Sequence, residues 1–206
     1  MSTATTPDLY LASQSPRRRE LLTQIGVRHA VVTVDVPEVR QPDELPGAYV
    51  QRLASAKASA GYAEVQRQGL PLRPVMGADT IVVCDQLILE KPGDATEAAA
   101  MLRLLAGRSH EVITAVAISD GERLEQALSI TEVRFRWLDD AEITAYWHTG
   151  EPRDKAGGYG IQGFGAVFVE AINGSYSNVV GLPLEVGFQL LQKFNVPCWQ
   201  TQESWA

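Results

Sequence analysis

The chain has 206 residues, 45% of them hydrophobic, and a net charge of −7. That length buries a sizeable core without help from disulfides or a structural metal. The acidic balance argues against a general nucleic-acid binder, whose affinity comes from neutralising phosphates, but it leaves room for a local basic cleft. The two cysteines, Cys84 and Cys198, have no metal-like CxxC spacing and give no disulfide framework. Residues 1–8 carry no basic start and no apolar stretch, and no window reaches about 18 uninterrupted apolar residues, so neither a signal peptide nor a membrane span is expected. The expected location is the reducing cytoplasm, and the expected organisation is one domain over residues 1–206, with 1–8 and 196–206 as peripheral tails.

In chain order, Leu9–Ala12 reads as a short strand. A helix is expected from Pro16 to Ile25, with Ser15 as cap, Pro16 at the first helical position and Gly26 as stop. Val31–Val34 reads as a second strand, and Asp35–Gly47, with three prolines, as a loop. Ala48–Ala60 carries Val50, Leu53, Ala54 and Lys57 on one helical face. Val75–Cys84 is strand, turned by Asp85-Gln86 into Leu87–Leu89. Asp94-Ala95-Thr96-Glu97 resembles a capping box before an Ala/Leu helix that stops at Gly107. Val112–Ile118 and Leu124–Phe135 form a hairpin around Asp120-Gly121. Asp139–Trp147 is a capped helix, and Glu151–Gly165, with five glycines, is expected to be a loop. Strand Ala166–Ile172, an Asn173-Gly174 turn and helix Leu184–Phe194 follow. The mixture predicts an α/β fold with a mixed twisted sheet flanked by helices, not a regular doubly wound one.

Chemistry-bearing residues stand out at several points. Ser13-Gln14-Ser15-Pro16-Arg17-Arg18-Arg19 puts three cations on a helix N-terminus, where positive charge costs about 0.3–1 kcal/mol each at exposed sites. A bound phosphate would reverse that sign, taking turn N–H groups, serine hydroxyls and arginine forks. The competing reading is a solvated face with the arginines paired to Glu20 or other carboxylates. Asp79 interrupts an apolar strand among small neighbours, which suits either a ligand or metal beside the carboxylate or a buried Asp bonded to turn amides. Lys57, on an apolar stripe, either snorkels to the edge or points into a cleft. Lys91 sits at a strand end and Glu38 in a proline-bearing loop, and each is equally readable as plain surface charge. The Gly-rich loop with Asp154, Lys155 and Gln162 is neither a P-loop nor a dinucleotide fingerprint. The three histidines form no paired pattern, and no serine elbow is present. Together, cationic side chains for a polyanion and Glu38 with Asp79 for a hard cation suit hydrolysis of a phosphoanhydride.

The sequence closely resembles the Maf family of nucleoside triphosphate pyrophosphatases. The resemblance runs through Leu11–Leu22, Gly77-Ala78-Asp79-Thr80, Glu90-Lys91-Pro92, Gly107–Val112, Gly150-Glu151-Pro152, Asp154–Gly157, Gly160-Ile161-Gln162-Gly163 and Gly174–Pro183, about residues 9 to 195 in all. It implies an elongated two-lobed α/β domain around a central cleft, usually dimeric. The implied reaction splits dTTP or UTP into the monophosphate and pyrophosphate with a divalent cation (Mg²⁺, Mn²⁺ or Co²⁺). CTP and modified pyrimidine nucleotides are further candidate substrates. By resemblance Asp79 is the proton acceptor that activates water, and Arg17, Thr80 and Gln162 match positions tied to base choice. Ser13, Arg18, Glu38, Lys57 and Lys91 match the remaining cleft positions. The family often carries an Asp-Glu pair where this chain has Pro37-Glu38, so Glu38 keeps the carboxylate. Partners implied are a nucleoside triphosphate and a second copy of the chain, with no nucleic acid and no membrane. The alternative is a nucleotide-binding regulator of cell division without significant turnover.

Overall fold

A computed structural model describes residues 6–201. Of the tails expected at 1–8 and 196–206, residues 1–5 and 202–206 lie outside the described residues. Two compact units divide the chain: Met1–Asp79, Ala115–Leu128 and Gly181–Ala206 form the first, Thr80–Thr114 and Ser129–Val180 the second. The elements belong to one seven-stranded mixed sheet with flanking helices, in the order β2 (His29–Val31), β1 (Leu9–Leu11), β3 (Val75–Cys84), β5 (Ser109–Ser119), β6 (Leu124–Phe135), β7 (Val169–Asn173), with β4 (Leu87–Leu89) paired to β3. The mixed α/β expectation is met.

In the first unit, β1 (Leu9–Leu11) pairs in parallel with both β2 (His29–Val31) and the start of β3 (Val75–Cys84). Parallel neighbours need crossovers, supplied by α1 (Pro16–Gln24) and α2 (Pro46–Arg67). All three residues of β1 are buried, as expected for a strand with partners on both sides. Helix α1 starts at Pro16 as expected, but Ser15 makes no side-chain cap bond. β2 begins and ends earlier than Val31–Val34.

Helix α2 begins at Pro46 and continues past Ala60 to Arg67. The expected end at Ala60 falls just before Gly61. That glycine is a packing position, where a Cβ would come within 2.7 Å of Val75 Cγ1 and 2.9 Å of Ala12 Cβ. The small residue lets the helix lie directly on β1 and β3, and the interior packing outweighs the weak helix propensity of glycine. The described ends of the chain are tied to this unit. Asp8 takes a two-pronged contact from Arg28 at 2.8 and 2.9 Å and a bond from Gln200, while Trp199 N–H donates to Ile25 O at 2.7 Å.

In the second unit, β4 (Leu87–Leu89) returns antiparallel on β3 through Asp85 and Gln86, both at positive φ. Helix α3 (Ala95–Leu105) is capped by Asp94, which accepts from Glu97 N–H. The expected reciprocal box is incomplete, because Glu97 reaches Gly93 N–H instead. Helix α4 (Asp140–His148) carries the complete box between Asp139 and Glu142. β5 (Ser109–Ser119) and β6 (Leu124–Phe135) are neighbours joined at Asp120-Gly121, with Ala115–Leu128 counted in the first unit, and β6 pairs antiparallel with β7 (Val169–Asn173). The Glu151–Gly165 segment is not plain loop. It holds short 3-10 turns at Glu151–Asp154 and Ala156–Gly158, and a third, Phe164–Phe168, takes up the start of the strand expected from Ala166. Helix α6 (Leu184–Lys193) belongs to the first unit, and α5 (Tyr176–Val180) closes the second. The core of this unit centres on Phe135, Tyr159, Phe168, Leu102 and Ile143.

Candidate functional site

The charged residues of the first unit converge around β3. Gly77 is the device that allows it. A Cβ there would sit 2.3 Å from Ala54 O and 2.5 Å from Ala58 N, so β3 lies directly on the backbone of α2. That approach carries Lys57, in the facing turn of α2, to Asp79 two residues further along the strand. Lys57 Nζ donates to Asp79 Oδ1 at 2.7 Å and to Glu38 Oε1 at 2.5 Å. Lys57 and Asp79 side chains are each 12% exposed, whereas Glu38 is 46% exposed. Lys57 therefore does not snorkel to solvent. It joins two carboxylates from distant parts of the sequence.

The loop that brings Glu38 is itself anchored. Arg52 on α2 forks onto Glu44 at 2.7 and 2.8 Å and donates to Val39 O at 3.0 Å, while Arg40 donates to Glu44 O. The hydrogen bonds from Arg52 draw the Glu44 carboxyl down to about 2. A bidentate guanidinium contact has fixed geometry, so it sets the position of the backbone next to Glu38.

The first turn is organised by Ser13. Its Oγ accepts from Ser15 N–H at 3.3 Å and from Arg18 Nη1 at 3.0 Å, and Arg18 Nε donates to Gly181 O at 2.8 Å. Arg18 is thus aimed inward and not spread on a solvated face. Burial lowers its pKa, the charges of Asp79 and Glu38 act against that, and Arg17 adds to it. Arg17 is half-buried and Arg19 exposed, and no acidic residue occupies this first turn. Ser13, Arg18, Glu38, Lys57 and Asp79 accordingly form one electrostatic group.

The remaining expected residues, Thr80, Lys91 and Gln162, belong to the second unit and stand on separate segments. Thr80 follows Asp79 on β3, is half-buried, and its Oγ1 lies 2.9 Å from Thr114 Oγ1 on β5. Lys91 is exposed just after β4. Its flank is fixed because Gly157 N–H donates to Glu90 O at 3.1 Å. Gly157 has φ +69, and a Cβ there would press to 2.9 Å from Val82 Cγ2, so the turn needs glycine twice over.

Gln162 is exposed on a backbone held from beneath by Glu151. That carboxylate accepts from Phe164 N–H at 2.8 Å, Gly165 N–H at 3.0 Å and Tyr146 O–H at 2.7 Å, and Tyr146 Oη accepts from Gly160 N–H at 3.1 Å. Lys155 pairs locally with Asp154 and caps Glu151 O. Sequence reasoning gave Glu151, Tyr146, Thr114 and Asn178 no role. Glu151 and Asn178 lie in segments that carried the family resemblance, which was the available signal.

Among the described residues no cluster of three or more His, Cys, Asp or Glu is arranged to hold a metal. The donor set open to a divalent cation is Glu38 with Asp79. Both carboxylates meet on one Nζ, which brings an oxygen of each to the same cationic group. Two carboxylates with substrate oxygens completing the shell is a usual arrangement for Mg²⁺, so the residues fit such a group.

Residues 8–194 match the Maf family, described as Maf-like protein. Three bacterial proteins named dTTP/UTP pyrophosphatase are similar over nearly their whole length. The one from Saccharophagus degradans is 56% identical over 193 residues, covering 94% of this chain and 91% of that protein. Those from Aromatoleum aromaticum and Escherichia coli O157:H7 are each 52% identical, covering 92% and 91% of this chain and 96% and 93% of theirs. With a family match across most of its length and relatives this similar, the chain belongs to the Maf family.

Proposed function

We propose that this protein is a nucleoside triphosphate pyrophosphatase that hydrolyses dTTP and UTP to the monophosphate and pyrophosphate. The observation that carries the reading is the junction of Asp79 and Glu38 on Lys57 Nζ, with the charge of Arg18 near enough to feel both carboxylates. Relatives bearing the dTTP/UTP pyrophosphatase name at 50–56% identity support the choice of substrate.

Ser13, Arg18, Lys57 and Lys91 bind the triphosphate. Arginine and lysine neutralise its charge, and the first turn of α1 offers N–H groups at a positive helix end. Lys57 engages Asp79 through Oδ1, and Oδ2 is the oxygen we assign to the attacking water. Asp79 orients that water on the α-phosphorus and accepts its proton, the P–O bond to the β-phosphate breaks, and pyrophosphate leaves. Glu38 and Asp79 would hold a divalent cation, which when bound neutralises charge on the phosphate oxygens. Arg17, Thr80 and Gln162 meet the base. A methyl-sized difference contributes only about 1–3 kcal/mol of discrimination, so both dTTP and UTP are expected substrates.

Pyrophosphate release across dTTP, UTP, CTP and GTP tests the reading. Turnover fastest with dTTP and UTP is the expected result. Tight nucleotide binding without product contradicts it.

A further inference from the structure

A network of neutral groups behind Thr80 fixes which way its hydroxyl points. Thr114 is fully buried on β5, and its hydroxyl lies 3.1 Å from the backbone oxygen of Asn178 in α5. A carbonyl oxygen only accepts, so the single Thr114 proton goes to it. The 2.9 Å contact between the Thr114 and Thr80 oxygens must then be filled by the Thr80 proton. Thr80 donates inward and presents its oxygen lone pairs to any other partner.

Asn178 is held so that this polarity cannot easily reverse. Its Nδ2 donates to Val112 O at 2.9 Å and to Thr131 Oγ1 at 2.8 Å. Turned over, the amide would aim its own oxygen at the Val112 carbonyl. Thr131 follows the same pattern as Thr114. Its proton goes to Ser175 O at 3.2 Å, and its oxygen accepts from Ser175 N–H at 3.0 Å. Two buried hydroxyls are each polarised by a backbone carbonyl, and both lock the short helix that supplies Asn178.

We infer that Thr114 is a positioning residue for base choice: it makes Thr80 a hydrogen-bond acceptor, which favours the N3–H of uracil and thymine over the N3 lone pair of cytosine. This rests on the reading that Thr80 meets the base. The Gln162 amide carries both a donor and an acceptor and sits on the exposed side, so rotation lets it serve either base. A hydroxyl whose proton is committed elsewhere does not adapt in that way. Lone pair against lone pair leaves a polar group unpaired, and this is the kind of mismatch that discriminates strongly.

The test is the ratio of kcat/KM for UTP over CTP. Thr114→Val removes the hydroxyl at nearly constant shape and frees the Thr80 proton to point outward. The ratio is expected to fall about tenfold, chiefly through faster CTP turnover, and Thr114→Ser, which keeps the hydroxyl, is expected to restore it. Equal loss on both nucleotides, or an unchanged ratio, overturns the inference. Thr80→Val separates the two levels. If it leaves the ratio intact, Thr80 does not meet the base, whereas a shifted ratio in Thr80→Val beside an unshifted one in Thr114→Val rejects the role of Thr114 alone. A measurement on the unaltered enzyme stands beside these should Thr114→Val not fold. The triphosphate of 3-deazauridine, with C–H in place of N3–H, is expected to be turned over about tenfold more slowly than UTP, and equal rates overturn the inference.

Discussion

Two clusters of polar residues, the Lys57 group in the first unit and the Thr114 group in the second, are of opposite kinds. Around β3 in the first unit, Lys57 joins Asp79 and Glu38, and Arg18 is pinned between Ser13 and the Gly181 carbonyl. Each of those interactions involves at least one full charge. In the second unit Thr80, Thr114, Asn178 and Thr131 exchange single protons between neutral groups, and His110 sits uncharged among Phe135 and Tyr159. Charge neutralisation gives affinity for a polyanion of any base, whereas an oriented neutral donor or acceptor distinguishes one base from another. Substitutions at Lys57 and at Thr114 are therefore expected to act separately, the first on all nucleotides alike and the second on the choice of base.

The largest expected effect comes from the charged set. Lys57→Met leaves two carboxylates converging without their shared ammonium. Removing one member of a buried hydrogen-bonded charge pair costs about 2–5 kcal/mol, so kcat/KM should fall about 100-fold or more. The loss should be equal for dTTP, UTP and CTP in a pyrophosphate-release assay. Unequal losses would break the separation, because they would give Lys57 and its two carboxylates a part in base choice.

The neutral region shows itself in pH dependence. His110 is 3% exposed, its Nε2 shares a 2.9 Å hydrogen bond with Tyr159 Oη, and burial lowers its pKa from 6.5 to about 4. A lowered histidine pKa means that the unfolded chain takes up the proton first. The stabilisation is complete above pH 6.5 and is lost as pH falls toward 4. At 1.36 kcal/mol per pKa unit that amounts to about 3 kcal/mol. Denaturant titrations between these limits should show the decline, and His110→Gln, which keeps a polar partner for Tyr159 and does not titrate, should flatten it. An equal slope in the variant would place the acid sensitivity in the charged region instead.

The smallest effect belongs to neither set. Gly187 lies inside α6, and among the described residues no atom outside its own helix backbone comes within 4 Å of an added Cβ. Gly187→Ala should stabilise the protein by about 0.5–1 kcal/mol through helix propensity, raising Tm by a few degrees and leaving the UTP:CTP ratio unchanged.

Local signals were readable in the sequence and long-range ones were not. Pro16, the Asp139/Glu142 box and the stop at Gly107 each place a helix end within a few residues, because their causes are short-range. The extent of α2 was missed because Gly61 answers to Val75 and Ala12, which no window around it contains. The Gly-rich stretch was expected to be loop, since 3-10 turns held by Glu151 have no periodicity to detect. Within the candidate site, family resemblance selected Ser13, Arg18, Glu38, Lys57 and Asp79, but the residues themselves left Lys57 between snorkelling and pointing inward. Contact at Gly77 between strand and helix settled that. Thr114 was invisible because one hydroxyl in the apolar run Ile113–Ala117 has no pattern of its own. Its meaning comes from Asn178, distant in sequence and brought close only by the fold.

The central claim is that Asp79 activates water for cleavage at the α-phosphorus. Asp79→Asn keeps the shape and one oxygen but removes the proton acceptor, and general base catalysis contributes about 10²–10⁴-fold. The direct measurement is single-turnover pyrophosphate release from dTTP by Asp79→Asn at saturating divalent cation, with nucleotide binding measured in parallel. The account predicts retained binding and a release rate lower by about 10²-fold or more. Release at the unaltered rate would contradict it.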